Sequence, residues 1–214
     1  MERLWAAAER LSGDPDIGMH TAEAYNPGAL SIVGYVILSC RTAGEALEKL
    51  ARYAPLLNEG LQVRVVRHGS ETHCRFDAVD RFDSFVKRSP RQVMETLAAG
   101  TVVTLKRLAT AAVEPTVVTF RHQTPVSVAE HRRILGPRVQ FGQPENAVVY
   151  PSSSLEAGML SADPALLDVF EGDARRRMEQ LESRGAVSGR VLTLLTLGSR
   201  EKCPRSRPSR PNWP

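Results

Sequence analysis

"PRQVMETLAAGTVVTLKRLATAA", residues 90–112, is the stretch on which the fold turns. Met94, Leu97, Ala98, Thr101, Leu105 and Leu108 recur at helical spacing, so the run reads as one long helix with an apolar stripe. Pro115 closes the region, because proline has no amide to donate and its ring clashes with the preceding turn. A helix of that length in mid-chain argues against a β-sandwich and needs a sheet to receive its stripe.

Strands lie on both sides of it. "LQVRVVRH" (61–68) and "THCRFDAV" (72–79) alternate apolar and polar residues and are joined by "GSE", which predicts a hairpin over 61–79. "DAVDRFDSFVKRSP" (77–90) reads as a polar loop. Downstream, "TVVTFRH" (116–122) reads as a strand and "VSVAEHRRILG" (126–136) as a helix stopped by Gly136. "RVQF" (138–141) and "NAVVYP" (146–151) read as a second hairpin, over 138–150, turning on "GQPE".

The flanks are helical. In "RTAGEALEKLARYAPLLNEG" (41–60), Thr42 and Glu45 have capping-box spacing, and the apolar residues that follow predict a helix over 44–58. "NPGALSIVGYVILSC" (26–40) is rich in β-branched residues, but its spacing favours a buried helix. Residues 2–12 read as a helix broken by "GDPD", and "IGMHTAEA" (17–24) as a short strand. Asp163-Pro164 opens a last helix in N-cap and N1 style. The order predicts an α+β domain with a largely antiparallel sheet and packed helices, readable as two β-α-β-β-like halves at 17–80 and 116–152.

The bulk numbers fit this. Apolar residues make up 42% and charged residues 24%, enough for a real core. The net charge of +4 is deceptive. Of 28 basic and 24 acidic residues, five and one fall in 199–214, which leaves 23 of each sign in residues 1–198. The body therefore has no overall bias toward a phosphate backbone. Cys40, Cys74 and Cys203 have neither a disulfide pattern nor metal-ligand spacing and read as reduced thiols. The longest apolar run, "ALSIVGYVILSC", falls short of the ~20 residues of a membrane span, and "MERLWAAAERL" is not a signal peptide. A cytoplasmic protein with no membrane partner is expected.

The sequence holds no Walker loop, GxGxxG, HExxH, GxSxG or CxxC, and no nucleophile with a base beside it. No catalytic role, metal or cofactor is expected. Six residues are candidates for a ligand site: Tyr35, Arg75, Phe76, Glu95, Phe120 and His122. The aromatic ones would floor a cavity, Arg75 would face an anion if it points inward, and His122 ends a strand where it can line a pocket. Glu95, turned toward a pocket, would suit a cationic or polyhydroxyl ligand. Each has a plainer alternative: core packing for the aromatics, a sheet surface for Arg75, a solvated helix face for Glu95.

Two long phrases, "PGALSIVGYVILSCRTAGEALEKLARYAPLLNEGLQVRV" (27–65) and "HRRILGPRVQFGQPENAVVYPSSSLEAGMLSADPALLDVF" (131–170), stand in the order and spacing of one family. They resemble the regulatory N-terminal region of bacterial AraC-type transcription regulators, in the subgroup with an arabinose-binding-like domain rather than a cupin. The resemblance covers about residues 3–198. It implies a domain that binds a small-molecule effector and dimerises, with itself or with a full-length regulator, while two helix-turn-helix units beyond it read DNA. Family members carry a helical segment before the part matching "LWAAAERL", and beyond "VSGRVLTLLTLGSREK" they continue into the DNA-reading units. Here "CPRSRPSRPNWP" follows, with Pro204, Pro208, Pro211 and Pro214. The reading is an effector-binding domain over 1–198 that stops before its reader. Residues 199–214 are then a disordered basic tail, such as a shifted reading frame in GC-rich DNA gives or a natural short protein carries. On this reading the chain alone has no sequence-specific DNA binding. The alternative function is a stand-alone small-molecule-binding protein, or a partner that poisons full-length regulators.

Overall fold

The computed structural model describes residues 2–24, 26–78 and 90–200. Helices α1 (Glu2–Ser12), α2 (Ile17–Ala24), α3 (Ser31–Ser39) and α4 (Ala43–Leu57) lead into strands β1 (Leu61–His68) and β2 (Glu71–Ala78). Helix α5 (Pro90–Leu108) follows, then β3 (Val117–Thr119), α6 (Ala129–Leu135), β4 (Val139–Gln140), β5 (Asn146–Pro151) and the long α7 (Pro164–Arg200). The fold is α+β, with one five-stranded sheet in the order β1-β2-β5-β3-β4.

Sequence chemistry sets the main boundaries. Thr42 caps α4, its Oγ1 accepting from the Glu45 amide at 3.1 Å. Asp163 caps α7 by accepting from the amides of Ala165 and Leu166, each at 3.0 Å. The β1–β2 hairpin has the expected register, Leu61 opposite Ala78 and His68 opposite Glu71. One sheet face presents Val63, Cys74, Phe76, Val118, Val148 and Tyr150, all buried, to the helices. Helix α4 packs on β1 and α5 on β5. The other face carries Arg64, His73, Arg75 and Thr119, with Ala147 and Val149 of the central strand buried between their neighbours. Burial pushes the thiols of Cys40 and Cys74 up to about 12, so both stay protonated at neutral pH.

Several boundaries differ from the sequence reading. Residues 17–24 form helix α2, not a strand, because Gly18, Met19 and Ala22 share a face buried on α5. Gly18 is required there: a Cβ at that position would stand 2.6 Å from the Gln92 carbonyl oxygen. With 17–24 helical, only 116–152 keeps a β-α-β-β pattern.

The second hairpin does not form either. The "GQPE" turn folds back on the end of β3, the Gly142 amide donating to His122 O at 2.9 Å and the Gln143 amide to Phe120 O at 2.9 Å. Strand β4 is therefore held beside β3 in parallel, and β3 separates it from β5. Helix α5 stops at Leu108, four residues short of the expected end, where Ala109 bridges to Met159. The strand expected over 116–122 is regular only at Val117–Thr119. Ser199 and Arg200 still belong to α7. Residues 79–89 of the expected polar loop and 201–214 of the expected tail lie outside the described residues.

Helix α5 is buried on more than its predicted stripe. Met94, Ala98, Thr101 and Leu105 are inside as expected, and so are Glu95, Ala99 and Val102 on the adjoining face. The helix is enclosed by α2 on one side and by α6 and the sheet on the other. That second face puts Glu95 in the protein interior.

Candidate functional site

Glu95 has no exposed surface. A carboxylate in that position is costly unless donors surround it. Three nitrogens converge on its Oε1: Arg91 Nε at 3.0 Å, His131 Nε2 at 2.6 Å and His122 Nε2 at 3.4 Å. Arg91, one turn earlier on α5, also bonds Asp16 at the start of α2. His122 follows β3, and His131 lies on the buried face of α6 with Ile134 and Leu135. One cluster thus joins α2, α5, α6 and the sheet.

Aromatic rings wall it in. Phe120 stacks on Phe141 at 5.8 Å between centroids and lies 4.9 Å from the His122 ring, and His131 meets Phe141 edge-on at 5.2 Å. Burial lowers the His122 pKa from its ordinary value, so that imidazole is neutral at pH 7.

The hydrogen bonding is incomplete. Glu95 Oε2, His122 Nε2 and His131 Nδ1 are buried without a hydrogen-bond partner. Buried polar atoms are seldom left so, and either a buried water or a ligand group can satisfy three in one cluster. Asp16, Glu95 and His131 also place ligand atoms within 4.8 Å of one another. The Arg91 guanidinium already bridges the two carboxylates and supplies the positive charge that a metal ion would bring.

Of the six residues singled out in the sequence, Glu95, Phe120 and His122 come together here. Phe76 is buried on the same sheet face, opposite Asn146. Arg75 lies on the other face, with Nε 3.1 Å from Glu145. Tyr35 is half-exposed on α3, its ring 5.2 Å from Phe170 of α7. Asp16, Arg91 and His131 were not singled out. Two signals point to them: Arg91 sits four residues before Glu95, and His131 shares i, i+3, i+4 spacing with Ile134 and Leu135.

A second ionic bridge clamps α2 to α6 at the surface. His20 lies between Asp14 Oδ2 at 2.6 Å and Glu130 Oε2 at 2.9 Å, while Arg133 grips Glu23 through two bonds of 2.8 Å. Hydrogen bonds to Asp14 and then Glu130 raise the His20 pKa above its ordinary value. A raised folded-state value means that the His20 contribution is complete below about pH 6.5 and fades as pH climbs through the folded pKa. His122 has the opposite sign, so its contribution fades as pH falls. The difference between wild type and His20→Gln isolates the bridge. Melting curves from pH 5.5 to 8.5 are expected to show wild type more stable at the acid end and the two converging at the alkaline end. A gap independent of pH would mean that His20 is not charged in the bridge.

Among the described residues, no helix is long and apolar enough to cross a membrane. The family model of the arabinose-binding domain of AraC transcription regulators, N-terminal, matches residues 1–159. The ornithine utilization regulator of Pseudomonas aeruginosa is 26% identical over 198 residues, 90% of this chain and 56% of that protein. The crystal structure of the transcriptional regulator CdpR from Pseudomonas aeruginosa shares the fold, with a TM-score of 0.60 at 18% identity over 72% of this chain and 49% of that one. The chain thus spans about half the length of the relatives it matches. A match that takes in both the helical lead and the whole sheet places it: the chain belongs to the AraC-type transcription regulators, through their N-terminal arabinose-binding domain.

Proposed function

We propose that the chain senses a small-molecule effector and dimerises, as the regulatory part of a transcription regulator. The observation that carries this is the buried cluster at Glu95, whose Oε2 has no partner, beside a His122 Nε2 that has none either. A ligand with an ammonium or hydroxyl group completes both, lying against the ring of Phe120. Two carboxylates, Asp16 and Glu95, on the one Arg91 guanidinium favour a cation over an anion. One relative is named for ornithine utilization, and ornithine, with its two amines, is a compound of that class. Of the six sequence candidates, the proposal keeps Glu95, Phe120 and His122 as ligand-binding residues.

For dimerisation, Leu166 and Val169 are exposed at i, i+3 on α7, 47% and 66%. That is an apolar patch of the kind subunit contacts cover. For DNA, the net-neutral composition of residues 1–198 gives the body no electrostatic hold on a duplex.

Sedimentation equilibrium and gel shifts test the proposal together. The 214-residue chain is expected to be a dimer at micromolar concentration, and Leu166→Asp with Val169→Asp to give monomers. It is expected to bind a promoter and a scrambled duplex equally weakly, losing both between low and moderate salt. A monomeric wild type removes the dimerisation part. A promoter preference that persists after deletion of 199–214 means that the body itself reads DNA.

A further inference from the structure

We infer that a second, separate site binds an amphiphilic monocarboxylate, with its alkyl part between α2, α3, α4 and α5 and its carboxylate at the start of the cleft under α7. This goes beyond the effector reading above, since no residue of the Glu95 cluster lines either cavity.

The inner chamber has a volume of about 230 Å³. It lies on the face of α5 turned away from Glu95, and Ala46, Leu47, Leu50, Leu97 and Leu105 are among the side chains around it. Four threonines also line it, but two have no hydroxyl to offer. Thr96 Oγ1 bonds the carbonyls of Gly18 and Gln92, at 3.0 and 2.6 Å, and Thr101 Oγ1 bonds Leu97 O at 2.8 Å. A sugar or a zwitterion would lose its hydration there with little in return. An apolar chamber of this kind stays dry and takes apolar molecules.

The outer cleft, of about 660 Å³, borders the chamber at Leu30 and Leu57, which line both. Its charged lining is Arg177, Arg184 and one acid, Glu59. Arg177 commits its Nε to Asp173 at 2.7 Å, which leaves its two terminal nitrogens for another acceptor. Arg184 has no ion-pair partner among the described residues. An apolar chamber set against a cleft with two arginines fits a chain with one anionic end that passes between Leu30 and Leu57. A neutral alcohol or an alkylammonium gains nothing from the arginines.

Titration calorimetry of the 214-residue chain with butanoate, hexanoate and octanoate tests this, with 1-octanol and octylammonium as head-group controls. Affinity is expected to rise about four-fold for each added methylene, the factor that burial of one CH₂ gives. Octanoate is expected to bind at least ten-fold tighter than either control. Arg177→Gln with Arg184→Gln should remove that advantage. Two substitutions that fill the chamber, Thr104→Leu and Leu50→Phe, should each weaken octanoate ten-fold or more. Each is to be read only where its circular dichroism melt matches wild type; if neither folds, the chain-length and head-group series decide. Affinity independent of chain length, equal binding of the three head groups, or octanoate binding unchanged in a folded filling variant would overturn the inference. So would the absence of binding at millimolar octanoate.

Discussion

Glu95→Ala is expected to lower the stability of the chain by about 3–5 kcal/mol, the range seen when one partner of a buried ion pair is removed. The carboxylate is fully buried and receives Arg91 and His131 through hydrogen bonds of 3.0 and 2.6 Å. Without it, the guanidinium keeps only Asp16, and His131 Nε2 joins the buried atoms that have no partner. Glu95→Gln retains shape and one acceptor and should fall between alanine and wild type. For a chain of this size the alanine variant should melt roughly 10 °C lower. A loss under about 0.5 kcal/mol, the size of an ordinary surface change, would show that the cluster does not hold α2, α5 and α6 together.

Phe120→Ala follows closely, at about 3–5 kcal/mol for a truncated buried aromatic. Phe120 is completely buried and is the ring against which His122 and Phe141 stack. Its backbone accepts from Gln143 and donates to Gln140, so the side chain sits where β3 meets the turn that replaced the expected hairpin. Urea denaturation should show the midpoint falling with the slope unchanged. Phe120→Leu, which keeps much of the volume, should cost less than half as much. Equal losses for alanine and leucine would mean that the ring stacking, rather than filled volume, accounts for the stability.

The residues that decided the fold were legible where burial is one-sided. The α5 stripe, the β1–β2 hairpin and the caps at Thr42 and Asp163 each follow from local spacing and local hydrogen bonds. What failed depends on distant partners. Residues 17–24 look strand-like alone, and become a helix because Gly18 lets α2 approach α5 closely. The pairing of β4 with β3 is set by the Gly142 and Gln143 amides finding acceptors on the end of β3, a contact between segments that no alternation pattern records.

The candidate site divides the same way. Glu95, Phe120 and His122 were visible as chemistry out of place: an acid in a helix, and an aromatic and a histidine at a strand end. Their convergence with Asp16, Arg91 and His131 comes from helices α2, α5 and α6 meeting in space. Arg75 and Tyr35 looked equally promising, because sequence does not say which sheet face or helix side the core covers. In the structure one pairs with Glu145 on the far face and the other rests half-exposed on Phe170.

A ligand site at the Glu95 cluster, rather than a structural ion network alone, makes a direct prediction. Thermal melts of wild type and Glu95→Gln test it, each with millimolar 1,4-diaminobutane, L-lysine, L-arginine or a neutral pentose. A ligand present at about a hundred times its dissociation constant adds ~2.7 kcal/mol, which is roughly 5–10 °C for a domain of this size. At least one of the cationic compounds is expected to raise the wild-type melting temperature by that amount and to leave Glu95→Gln unmoved. No shift with any of the four, or the same shift in both proteins, would contradict the claim.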